Sequence, residues 1–131
     1  MSDELRSEVA IWRRYALEDL KQAERLLESR EAVPRHPAWL AQQAAEKALK
    51  AVLIWLQIDF PYTHDLDAIF RLIPEDWVVK NVEADFHRLS EYAVDTRYPG
   101  NWPDLSRDDA EKAVSDARRV VDAVGEDFKQ R

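Results

Sequence analysis

The sequence predicts an all-α fold: an up-and-down antiparallel bundle of four long helices plus one short helix, in a single domain spanning residues 1–131. Apolar residues recur every three or four positions over long stretches, and no stretch alternates with period two for the length of a strand. Glycine occurs only at Gly100 and Gly125, whereas the good helix formers Ala, Leu, Glu, Lys and Arg are abundant. The prolines fall between the periodic stretches, where they punctuate rather than interrupt them.

The first helix is expected from about Glu4 to Arg30. Leu5, Val9, Trp12, Ala16, Leu20, Ala23 and Leu27 form one apolar stripe, with charge on the opposite face. Pro34 and Pro37 bracket the connection that follows, because neither continues the preceding helix. The central helix is expected from about Pro37 to Ile58. At about 100° per residue, Leu40, Ala41, Ala44, Ala45, Ala48, Leu49, Ala51, Val52, Trp55 and Leu56 cover about half of its circumference. That stripe is wider than a surface helix shows, so this helix should touch neighbours on two sides. Its alanines allow the neighbouring axes to come close. Gln42, Gln43, Glu46, Lys47, Lys50 and Gln57 gather on the remaining arc.

Phe60-Pro61-Tyr62-Thr63-His64-Asp65-Leu66 breaks the pattern, since Pro61 pushes Phe60 out of helical geometry. Thr63 or Asp65 then caps a short third helix with the apolar set Leu66, Ile69, Phe70, Leu72 and Ile73, ended by Pro74. A fourth helix is expected from about Asp76 to Thr96, with Val78, Val82, Phe86, Leu89 and Ala93 on its buried side. Tyr98-Pro99-Gly100-Asn101-Trp102-Pro103 is an irregular turn. Ser106 and Asp109 form a capping box for the last helix, which carries Ala110, Ala113, Ala117, Val120, Val121, Val124 and Phe128.

Composition bounds the chemistry. The chain has 46% hydrophobic and 34% charged residues, which are values of a globular chain. Without cysteine there is no disulfide and no thiolate catalysis. No apolar run approaches the ~20 residues of a membrane span, and the acidic N-terminus lacks an apolar signal segment, so a cytoplasmic protein is expected. A net charge of −7 opposes broad, non-specific grip on a nucleic-acid backbone but leaves room for a local basic pocket. Two glycines make no phosphate-cradling loop, and no Ser–His–Asp grouping or metal-ligand spacing stands out; no cofactor or metal is expected.

Three motifs appear in order: Gln43-Ala44-Ala45-Glu46-Lys47-Ala48-Leu49-Lys50-Ala51, then Thr63-His64-Asp65-Leu66, then Tyr92-Ala93-Val94 with Thr96-Arg97-Tyr98-Pro99. In type, order and context they resemble the HEPN domain family, the helical domain named for higher eukaryotes and prokaryotes nucleotide-binding. The resemblance extends from Leu17-Glu18-Asp19-Leu20-Lys21-Gln22-Ala23 to the last helix. It implies a helical homodimer that works with a small nucleotidyltransferase in systems resembling toxin–antitoxin pairs. Many members are ribonucleases with an Arg followed four to six residues later by His. Here Arg97 is followed by Tyr98, Pro99, Gly100, Asn101, Trp102, Pro103 and Asp104, so that His is absent. The resemblance therefore implies a non-catalytic nucleotide-binding and interaction module, with a ribonuclease of non-standard active site as the alternative.

The candidate site residues each have two readings. Gln43, Glu46, Lys47 and Lys50 share a helical face, either solvated with a Glu46–Lys50 pair or offering Lys47 and Lys50 to a phosphate or acidic partner. Trp39 and Ile54 lie near that arc, as at a dimer surface or a base-stacking pocket. His64, beside Asp65, either ties a helix start to its neighbour or acts as a base toward a nucleotide. Arg97, beside Tyr98, complements a helix C-terminus, pairs with Asp95, or binds phosphate. His64 and Arg97 would be the catalytic pair of a ribonuclease. Trp39, Trp55 and Trp102 are candidate buried or interface anchors. The carboxylates Asp3, Glu4, Asp108, Asp109, Asp122, Glu126 and Asp127 read as solvated helix faces.

Overall fold

Helix α2 (Arg35–Trp55) lies between α1 (Asp3–Leu27) and α5 (Arg107–Lys129) in a computed structural model that describes residues 2–93 and 104–131. Two short helices, α3 (Leu66–Arg71) and α4 (Phe86–Ser90), and a 3₁₀ turn (Val78–Asn81) complete the bundle. There is no strand among the described residues. The all-α expectation holds, as does the central place of α2. Ala38, Ala41, Ala44, Ala45, Ala48 and Ala51 are all buried on it, which lets α1 and α5 approach from two sides. Leu20, Leu49, Leu53, Val52, Val120 and Val124 fill the interior between the three long helices. Each such side chain contributes about 1.5–3 kcal/mol on leaving water.

The helix ends follow local rules. Ser2 Oγ accepts the Leu5 N–H at 3.1 Å, and Asp3 and Glu4 occupy the positive end of the α1 dipole. The Ser106–Asp109 capping box forms, with both reciprocal bonds present. Of the two proposed caps before α3, it is Asp65 whose carboxylate accepts from Asp67 and Ala68. Helix α2 starts slightly earlier than expected, because Pro37 fits in a first turn where its missing N–H costs nothing. Its end is a Schellman motif: Ile58 N–H donates to Leu53 at 2.9 Å and Gln57 N–H to Ile54 at 3.0 Å, with Gln57 left-handed at φ 56°.

The fourth long helix expected over Asp76–Thr96 is not what the described part of that stretch forms. It makes the 3₁₀ turn and then α4, with Val82 extended between them. Two causes are visible. The β-branched Val78, Val79 and Val82 are poor helix residues. The carboxylate of Asp127, on α5, accepts the N–H groups of Val78 at 2.7 Å and Val79 at 3.0 Å, so these amides are satisfied without a helix. Asp127 is therefore fully buried, not on a solvated face. Trp77 is buried beside it, and Phe128 stands edge-on to both Trp77 and Trp55. Trp55 thus serves as the core-edge anchor expected of it, and Trp39 is half-buried.

Candidate functional site

The polar arc of α2 is not a solvated face. Gln42 is fully buried, Glu46 is 6% exposed and Lys50 is 9% exposed. The spacing 42, 46, 50 stacks the three side chains one turn apart on a single edge of the helix. The segment after α2 then folds back over that edge, because the left-handed Gln57 reverses the chain.

Glu46 is the hub. Its Oε1 accepts from Gln42 Nε2 at 2.9 Å and from His64 Nδ1 at 2.8 Å, and its Oε2 accepts from Lys50 Nζ at 3.0 Å. Gln42 Oε1 accepts in turn from Gln43 Nε2 at 2.6 Å. Lys50 Nζ also lies 5.3 Å from the Phe60 ring centroid, a cation–π contact from the loop that carries His64. Burial alone would push the Glu46 carboxyl up; the bonds from His64, Gln42 and Lys50, with the charge of Lys50, outweigh it and hold the group below its ordinary value. Glu46 is thus an ionised, buried carboxylate with donors from two elements.

The Glu46 contact places the His64 proton on Nδ1. Nε2 has no partner among the described residues, and the His64 side chain is 62% exposed. A histidine oriented by a buried carboxylate, with its second nitrogen toward solvent, can accept a proton or a hydrogen bond from a bound group.

The structure thus brings Gln43, Glu46, Lys50 and His64 together. It takes Lys47 away: its Nζ pairs with Asp19 of α1 instead of facing a phosphate. Asp65 is occupied as the α3 cap. Arg97, Tyr98 and Trp102 lie outside the described residues. Among the described residues no group of three or more His, Asp or Glu could hold a metal ion. No helix there is long and apolar enough to cross a membrane.

Two partners escaped the sequence. Gln42 was legible in principle, since it completes an i, i+4, i+8 ladder with Glu46 and Lys50. Arg88 was not: its Nε donates to Tyr92 Oη at 3.0 Å and its Nη2 to Asp109 at 3.2 Å, 21 residues away. These groups, with Asp85, Lys112 and Asp116, line a cavity of about 230 Å³.

The family model described as "HEPN domain" matches residues 9–127. The chain is also similar to "Putative toxin MJ1304" of Methanocaldococcus jannaschii, at 30% identity over 134 aligned positions, covering 88% of this chain and 85% of that protein. No solved structure matches the chain at the same level of significance.

Proposed function

Because the chain belongs to the HEPN domain family, we propose that it is a non-catalytic interaction module, the toxin-side member of a two-protein pair, that acts as a homodimer with a small nucleotidyltransferase. The name of the Methanocaldococcus relative supports the toxin side of this reading. The observation that carries the site is the buried Glu46 carboxylate, which fixes His64 with Nε2 outward. In this reading His64 meets a phosphate or nucleotidyl group presented by the partner. Gln42 and Lys50 hold Glu46 in place, Gln43 braces Gln42, and none of the three touches the ligand. The test is light scattering behind size-exclusion chromatography, then binding to a small nucleotidyltransferase. A dimer is expected, and His64→Ala should weaken binding about tenfold, the equivalent of one hydrogen bond to a charged group. A clean monomer at high micromolar concentration, or unchanged affinity in His64→Ala, would overturn the reading.

A ribonuclease is the second reading, favoured by the same His64–Glu46 pair, which has the arrangement of a general base and its orienting carboxylate. Arg97 would then stabilise the charged transition state. Incubation with total RNA separates the two readings. Equal and negligible cleavage by wild type, His64→Ala and Arg97→Ala disposes of catalysis. Calorimetry with ATP asks in parallel whether the module takes free nucleotide.

A further inference from the structure

A cleft of about 360 Å³ opens between α1 and α5, away from the Glu46 cluster. Its apolar lining comes from Ala16, Leu17, Ala48, Val121 and Val124. Two features of this cleft are not required by the fold.

The first is Arg13. Its guanidinium is partly buried over the Phe128 ring, 4.8 Å from the centroid, and burial pulls its pKa below the ordinary value. Among the described residues no carboxylate lies within ion-pair distance of it. The two acids that share the cleft have partners of their own: Asp122 pairs with Arg118 at 3.3 Å, and Glu126 with Lys129, which also lines the cleft, at 3.0 Å. A planar fork of N–H donors is left facing a cavity.

The second is Gly125, inside α5. Its φ is not positive, so the backbone does not require glycine. A Cβ there would meet Arg13 Nη2 at 3.9 Å, an ordinary contact, so packing does not require it either. A helix-interior glycine is less stable than alanine. A side chain at this position would project beside the guanidinium, where Gly125 lines the cleft.

We propose that the α1–α5 cleft binds a small organic anion, its carboxylate or phosphate forked on Arg13 and its apolar body against Ala16, Ala48, Val121 and Val124. The volume suits such a ligand. The exposed Asp122 and Glu126 repel extended polyanions, so a nucleic-acid backbone is disfavoured. The site is independent of the reading of His64 and Glu46.

The test is an NMR titration of the ¹⁵N-labelled chain with 4-phenylbutyrate, phenyl phosphate and the neutral control 4-phenylbutanol. At least one acid should saturate at submillimolar affinity and shift the Gly125 amide and the Arg13 Nε–H; the stronger acid identifies the head group. The alcohol should bind at least tenfold more weakly. Gly125→Leu, which suits a helix and fills the gap, should abolish binding without lowering the melting temperature. Arg13→Gln should reduce both acids to the level of the alcohol, and serves alone if Gly125→Leu does not fold. Failure of both acids to saturate at millimolar concentration, or equal binding of acid and alcohol to wild type, would overturn the proposal.

Discussion

Replacing Glu46 by Gln tests whether the polar ladder on α2 is a buried unit or a solvated edge. The substitution keeps the shape but removes the negative charge facing Lys50 Nζ, whose side chain is 11% exposed. Removing one member of a fully buried ion pair costs about 3–5 kcal/mol, because the other charge is left uncompensated. Lys50 retains its contact with Phe60, and the introduced amide would still accept one hydrogen bond, so the expected loss is about 2–3 kcal/mol. For a chain of 131 residues that is a fall of roughly 10 °C in melting temperature. The pH dependence gives a second readout. The Glu46 carboxyl is held below its ordinary value of 4.5 in the folded chain, so the unfolded chain takes up its proton more readily. Its contribution to stability is full above 4.5 and is lost as pH falls through the lower folded value. Urea unfolding from neutral pH into the acid range should therefore show a shallower acid loss in Glu46→Gln than in wild type. A destabilisation under about 0.5 kcal/mol, the range of an exposed pair, with parallel pH profiles would refute the reasoning.

Three further substitutions probe the frame around the site. Asp127→Ala strips the acceptor from the Val78 and Val79 amides and should cost about 3 kcal/mol in urea unfolding, with Asp127→Asn costing about half of that. Gln57→Gly relieves the left-handed backbone at the end of α2 and should stabilise by about 0.5–1 kcal/mol, read as a rise in melting temperature. Ser106→Ala removes half of the α5 capping box and should cost about 1 kcal/mol, seen in the urea midpoint without a change in slope.

The sequence by itself determined what depends on neighbours within a few residues. The apolar stripes of α1, α2 and α5 have helical period, and Ser106 with Asp109 specified a start that forms as read. The breadth of the α2 stripe placed that helix between two others, because an apolar surface so wide must be covered on both sides. The tertiary structure decided what depends on segments far apart in the chain. Periodicity put Glu46 and Lys50 on a polar arc but could not say that the loop bearing Phe60 and His64 would fold over it. It made Asp127 one more charged residue of an exposed face, although two amides nearly fifty residues earlier need its carboxylate. The same two bonds, with the β-branched valines, turned an expected long helix into a 3₁₀ turn and a short α4. Helical period records which side of a rod is apolar; burial of a polar group is settled by which distant donors and acceptors the topology brings to it.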